Sequence, residues 1–180
     1  NGEYHLFKSE RFEDPDLVKM RLAHWKSKDG IKWVRVSTLF ESSGDFTGKD
    51  KNASIWSPIP IYNQDEDRYN LFYVKYKSKP NDSTGWYINY EGRIMRAVSE
   101  IKGEGGFGGP YKDLNYILEP DKDDGPWVGL QGNDSFFPYL VGGIWYGFYG
   151  SAQTQTEKHP YMPINLNYPK WNLTLARAEK

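Results

Sequence analysis

The same short series of strands recurs three times along this chain, and that repetition limits the fold more than any single motif does. An aromatic strand, Tyr4-His5-Leu6-Phe7, returns as Tyr69-Asn70-Leu71-Phe72-Tyr73 and again as Trp145-Tyr146-Gly147-Phe148-Tyr149, at spacings of about 65 and about 76 residues. A second strand type follows each of them: Arg21 to Ser27, then Ile94 to Ser99, then Leu173 to Ala178. Two of the units go on to a third strand. Asp29-Gly30 leads into Trp33-Val34-Arg35-Val36, and Gly109-Pro110-Tyr111 leads into Asn115-Tyr116-Ile117-Leu118; both connections carry turn residues. A further apolar strand precedes the aromatic one in the later units, at Ser54 to Tyr62 and at Ser135 to Leu140.

Each complete unit therefore reads as four antiparallel strands. Their bulky residues stand at consecutive positions instead of alternating with polar ones, so both faces of each sheet need cover. Small sheets packed face to face around an axis give that cover and leave only short edges exposed. The expectation is an all-β β-propeller of four-stranded antiparallel blades, with approximate units at 1–45, 50–120 and 130–180. A β-sandwich with coincidental likeness between its aromatic strands is the alternative. The matching order of strand types over three units favours the repeat.

Composition agrees with strands. Aromatic residues make up 17% of 180 residues, and 18 Gly and 11 Pro punctuate the chain throughout. Lys plus Arg number 23 against 24 Asp plus Glu, and neither sign forms a block, so nothing marks a nucleic-acid or anionic-membrane partner. No apolar run reaches the roughly 18 residues of a membrane helix. The absence of Cys excludes thiolate catalysis and Cys-ligated zinc. His5, His24 and His159 are too scattered in sequence to make a metal motif, and His24 reads as a structural residue on a strand. No sequence feature calls for a cofactor or supports a structural calcium.

Ser27-Lys28-Asp29-Gly30-Ile31-Lys32-Trp33 resembles the S-x-D-G-x-x-W turn of the five-bladed propellers of glycoside hydrolase families 43, 32, 117 and 130. Its fit to the sialidase Asp-box, which has one more residue between Asp and Gly, is poorer. Ile55-Trp56-Ser57-Pro58 looks like the W-A-P that opens the second blade of many family 43 proteins. Asn133-Asp134-Ser135-Phe136-Phe137 looks like their third-blade Asp followed by an apolar strand. The resemblance implies that both segments are innermost strands lining an axial pocket. It also implies that about two and a half blades of five are present, the rest coming from further polypeptide or another chain. The general base would then precede Asn1 and the general acid would follow Lys180, so this segment would lack both.

Glycoside hydrolysis needs two carboxyl groups flanking one bond, set further apart for inversion than for retention. By the resemblance, Asp134 is a third carboxylate, ionised, which orients the base and tunes the acid. The bland reading is that it ties down the loop ahead of its strand. Sugar rings stack on aromatic faces, for which Trp56 is the foremost candidate by position, with Trp127 and Trp86 behind it on loops; packing within a blade is the alternative for Trp56. Ser57, Gln131 and Asn133 are candidates for hydrogen bonds to sugar hydroxyls, although Gln131 and Asn133 would serve equally as strand caps. Asp45, Lys49 and Asp50 occupy the long loop on the expected pocket side. Gly103-Glu104-Gly105-Gly106-Phe107-Gly108 satisfies G-x-G-x-x-G, but Pro110 and a strand follow where a dinucleotide site needs a helix, so it reads as a turn. Three functions compete: a glycoside hydrolase acting on a polysaccharide or oligosaccharide, a non-catalytic carbohydrate-binding propeller, and a protein-interaction propeller. The expected location is secreted or periplasmic.

Overall fold

A computed structural model describes residues 2–13, 18–80, 87–120, 131–154 and 169–179. Ten strands and one short 3-10 turn make up its regular structure. The first sheet holds β1 (Tyr4–Arg11), β2 (Met20–Ser27) and β3 (Val34–Glu41) in that order. The second holds β4 (Ser54–Asn63), β5 (Arg68–Pro80), β6 (Tyr87–Ser99) and β7 (Tyr111–Leu118). The third holds β8 (Gly132–Val141), β9 (Ile144–Thr154) and β10 (Pro169–Glu179). Pairing within each sheet is antiparallel between chain neighbours. One parallel bridge, Gly92 to Gly132, joins the second sheet to the third.

The three aromatic repeats fall on β1, β5 and β9, and the strand types that follow them fall on β2, β6 and β10. Observed strands run longer than the sequence suggests. β7 begins at Tyr111 rather than Asn115, and β8 takes in Asn133 and Asp134, which the sequence places ahead of the strand. The reason is a set of bulges: β6–β7 shifts register twice and β8–β9 once, which breaks the run of apolar residues without ending the strand. Trp33 conversely stays in the turn ahead of β3, its indole N–H donating to the Gly30 carbonyl at 3.2 Å.

β5 shows why consecutive bulky residues are needed. Leu71 and Tyr73 lie in one buried cluster with Met20 and Leu22 of β2 and Ile55 of β4. Phe72, Val74 and Tyr76, on the opposite face, lie in another with Ile94 of β6 and Phe136 of β8. The middle sheet is thus covered on both sides by its neighbours, as face-to-face stacking requires.

The Asp29 turn forms as its residues dictate. Asp29 Oδ1 accepts the backbone N–H groups of Ile31 (2.9 Å) and Lys32 (2.8 Å), while Ser27 Oγ accepts that of Gly30 at 2.9 Å. Gly30 supplies the φ of +72° that the turn needs. The backbone donors hold the Asp29 carboxyl below the usual carboxylate range.

Two polar groups buried near the first sheet have consequences for stability. Glu10 accepts Arg21 Nε (2.8 Å) and Arg35 Nε (3.1 Å) on Oε2, and the Trp25 indole N–H (2.5 Å) on Oε1. Burial raises this carboxyl, but the hydrogen bonds from Arg21, Arg35 and Trp25 outweigh it and hold the group ionised. Glu10→Gln keeps an acceptor and removes the charge from two arginines. It should lower stability by about 2 kcal/mol, read as a urea midpoint shift at unchanged slope.

His24 of β2, only 4% exposed, stacks on Phe7 at 4.9 Å and on His5 at 5.1 Å, with Phe107 against its edge at 5.7 Å. Phe107 comes from the glycine-rich turn around Glu104–Gly106, which therefore closes an aromatic cluster. Burial, then the nearby His5 and Lys26, push the His24 imidazole down to about 4. Near neutral pH it is the uncharged ring. An unfolded chain binds a proton at His24 near pH 6.5 that the folded chain refuses until about 4, so this residue's contribution to stability falls as pH drops through that window. About 2 kcal/mol should be lost between pH 7 and pH 5, and His24→Phe should flatten that part of the curve in urea unfolding followed against pH.

Candidate functional site

β4 and β8 carry the same irregularity at the same place. In β4 three steps from Trp56 to Ile59 match two in β5, from Val74 to Phe72; in β8 three steps from Asp134 to Phe137 match two in β9, from Gly150 to Phe148. The extra residue brings a positive φ at Ser57 (+55°) and at Ser135 (+49°), conformations that cost of order 1–3 kcal/mol for a residue with a Cβ. Trp56 and Asp134 hold equivalent positions, each just ahead of its strained serine. Paired bulges of this kind re-aim side chains, and sheets use them beside functional sites.

The two bulges meet. Ser57 Oγ donates to Asp134 Oδ1 at 3.1 Å and lies 3.5 Å from Ser135 Oγ. Asp134 Oδ1 also accepts the Ser135 backbone N–H at 2.6 Å and its hydroxyl at 3.3 Å. A third sheet joins them, because the Ser57 backbone N–H donates to Ser9 Oγ of β1 at 3.1 Å. One carboxylate oxygen is thereby fixed by donors from β4 and β8.

Buried polar groups crowd the same end of β8. Tyr76 is 2% exposed, and its hydroxyl has no partner of ordinary hydrogen-bond geometry. Burial, with Asp134 beside it, raises that hydroxyl well above the usual tyrosine range, so it is a proton donor at any working pH. Asn133 is 3% exposed and its Oδ1 is likewise unpartnered. The carbonyl of Gln131 accepts the Gly92 N–H at 2.9 Å, within the joint between the second and third sheets.

The remaining candidates divide. Trp56 is half-buried against both apolar clusters, with its indole N–H on Ser54 Oγ at 2.7 Å, so it has a packing role whatever else it does. The loop of Asp45, Lys49 and Asp50 lies at the end where β4 begins, tied to β6 by the Tyr90 hydroxyl on the Gly48 carbonyl at 2.6 Å. Its carboxylates are turned on the loop itself: Asp45 accepts Thr47 Oγ1 and the Asp50 N–H, and Asp50 accepts the Asn52 N–H. Trp86, Trp127 and His159 lie outside the described residues. His5 and His24 do come together, Nδ1 to Nε2 at 2.8 Å, but among the described residues no three potential ligands gather for a metal. Ser9, Tyr76 and Ser135 escape the sequence reading. For Ser135 a signal exists, since Trp56-Ser57 and Asp134-Ser135 place serine at the same position of matching strands.

Three antiparallel sheets that stack face to face, with β4 set between β1 and β8, have the fold of the propeller glycoside hydrolases. Three solved structures share that fold. An N-acetylgalactosamine deacetylase from F. plautii, in complex with blood group B trisaccharide, matches 99% of this chain and 47% of its own, with TM-score 0.60 and 15% identity. An inulosucrase from Halalkalicoccus jeotgali bound to kestose matches 97% and 45%, with TM-score 0.55 and 14% identity. An α-L-arabinofuranosidase from Lactobacillus brevis matches 98% and 45%, with TM-score 0.53 and 14% identity. The chain spans about half the length of these structures. No protein-family model and no curated protein matches it. Among the described residues no helix is long and apolar enough to cross a membrane.

Proposed function

We propose that this chain forms the part of a propeller glycoside hydrolase that carries the third carboxylate, Asp134, and that the complete protein acts on an oligosaccharide or polysaccharide by inversion. The observation that supports it most is the Ser57–Asp134 contact at 3.1 Å, which brings the W-A-P-like and Asp segments to one centre. Asp134 acts there through its charge, with Ser57 and Ser135 fixing Oδ1 and the buried Tyr76 hydroxyl beside it, while Asn133 stands on the substrate side. Trp56, Trp86, Trp127, Gln131 and Asp50 complete the substrate side of this reading. The units 1–45, 50–120 and 130–180 are taken as about two and a half of five blades, and the work as done outside the cytoplasm.

Exposed apolar faces support further sheets on either side. Val34 and Val36 stand 62% and 47% exposed on the first sheet, and Tyr139, Leu173 and Leu175 stand 54%, 77% and 53% exposed on the third. In the proposal, remaining blades from the same polypeptide or another chain cover them and bring the general acid and base.

Proton NMR of the product tests this reading. A complete protein carrying this segment, incubated with oligosaccharides from arabinan and xylan, should release a sugar whose anomeric configuration is inverted at first formation. Retention would contradict the mechanism. Binding without turnover would instead favour the carbohydrate-binding propeller.

A further inference from the structure

At the rim opposite the start of β8, a cavity of about 530 Å³ opens between the second and third sheets, within the size range of small-molecule sites. Phe72, Leu118 and Phe136 line it, and Trp145 borders it on the same face of β9 as Gly147, which opens towards Phe136. The charges along it balance, Asp65 and Glu66 against Arg96 and Arg177. A cavity of that character repels neither sign and attracts neither, so it suits a neutral ligand.

Arg96 is held for such a ligand. Its Nε donates to Asn70 Oδ1 at 2.7 Å, and Nη2 donates to both Glu66 carboxylate oxygens at 3.0 Å. That fork leaves Nη1 as a pre-oriented donor, and Asn70, only 3% exposed, anchors it from below. Aromatic faces, an oriented donor and carboxylate acceptors on one apolar cavity are what a polyhydroxylated ring requires: its C–H face packs on the aromatics while its hydroxyls pair at the rim.

We propose that this cleft between sheets is a second carbohydrate site, taking a neutral sugar unit at the rim away from Asp134. It is separate from the hydrolytic reading and fails separately, because it is read by binding and not by turnover. The test is titration of the ¹⁵N-labelled chain with arabinotriose, xylotriose and kestose in turn. At least one trisaccharide should shift the Trp145 indole N–H and the Arg96 guanidinium in a saturable way. Trp145→Ala and the cavity-filling Ala176→Trp should each weaken that binding tenfold or more, and Asp134→Asn should leave it unchanged. Circular dichroism verifies each fold; if Ala176→Trp does not fold, Trp145→Ala decides. No saturable shift with any of the three sugars, shifts confined to Trp56 and the start of β8, or unchanged affinity in Trp145→Ala would overturn the proposal.

Discussion

Asp134→Asn, made in a complete protein carrying this segment, should lower turnover by at least about 100-fold while saccharide binding is retained. The substitution is nearly isosteric and keeps an oxygen to receive Ser57 Oγ and the Ser135 N–H, so the bulge geometry survives. Only the charge goes. In the proposed mechanism that charge raises the affinity of the neighbouring general acid for its proton, so its removal lowers that group's pKa. The alkaline limb of the pH–rate profile should therefore move to lower pH in the variant. A merely structural Asp134 would change stability and leave that limb in place.

Gly92→Ala should be strongly destabilising for a change of one methyl group. A Cβ at Gly92 would come 2.3 Å from the Asn133 carbonyl oxygen, 2.4 Å from Tyr76 Cε1 and 3.0 Å from the Gln131 carbonyl oxygen. Two of these are backbone atoms of the segment that opens β8, and Gly92 is itself the residue that bridges to Gly132. The strand cannot retreat, because its neighbours are clamped: Glu91 pairs with Lys77 (2.8 Å) and Arg93 (3.0 Å), and Arg93 pairs with Glu119 (2.5 Å). Overpacking against immobile backbone costs ~3–4 kcal/mol, at the upper end for one methyl. Thermal unfolding should show the loss. The resonances of Asn133, Asp134 and Ser57 should shift more than those of the first sheet, since the methyl group pushes β8 away from β4.

The strand order was legible in the sequence because each unit repeats its strand types, and a consecutive run such as Leu71 to Val74 fits only a strand buried on both faces. The strand limits were less so. Bulges are set by backbone strain at Ser57 and Ser135, and serine carries no local mark of a positive φ. Asp134 and Trp56 could be named from their motifs, but the way their strands meet depends on Ser9 and Tyr76, which lie 48 positions before Ser57 and 58 before Asp134 in the chain. Gly92 was invisible for a related reason. Its constraint comes from Asn133 and Gln131, and no local pattern records a contact made across two sheets.

The absence of cysteine permits a direct test of the central claim, that the bulges of β4 and β8 face one another across a common centre. Ser57 and Ser135, whose hydroxyl oxygens stand 3.5 Å apart, can be replaced together by cysteine and the protein oxidised under mild conditions. Rapid, near-complete formation of an intramolecular disulfide is the predicted result. Free thiols that persist in the folded protein, or bonds formed only between molecules, would place the two strands apart and contradict both the architecture and the site built on it.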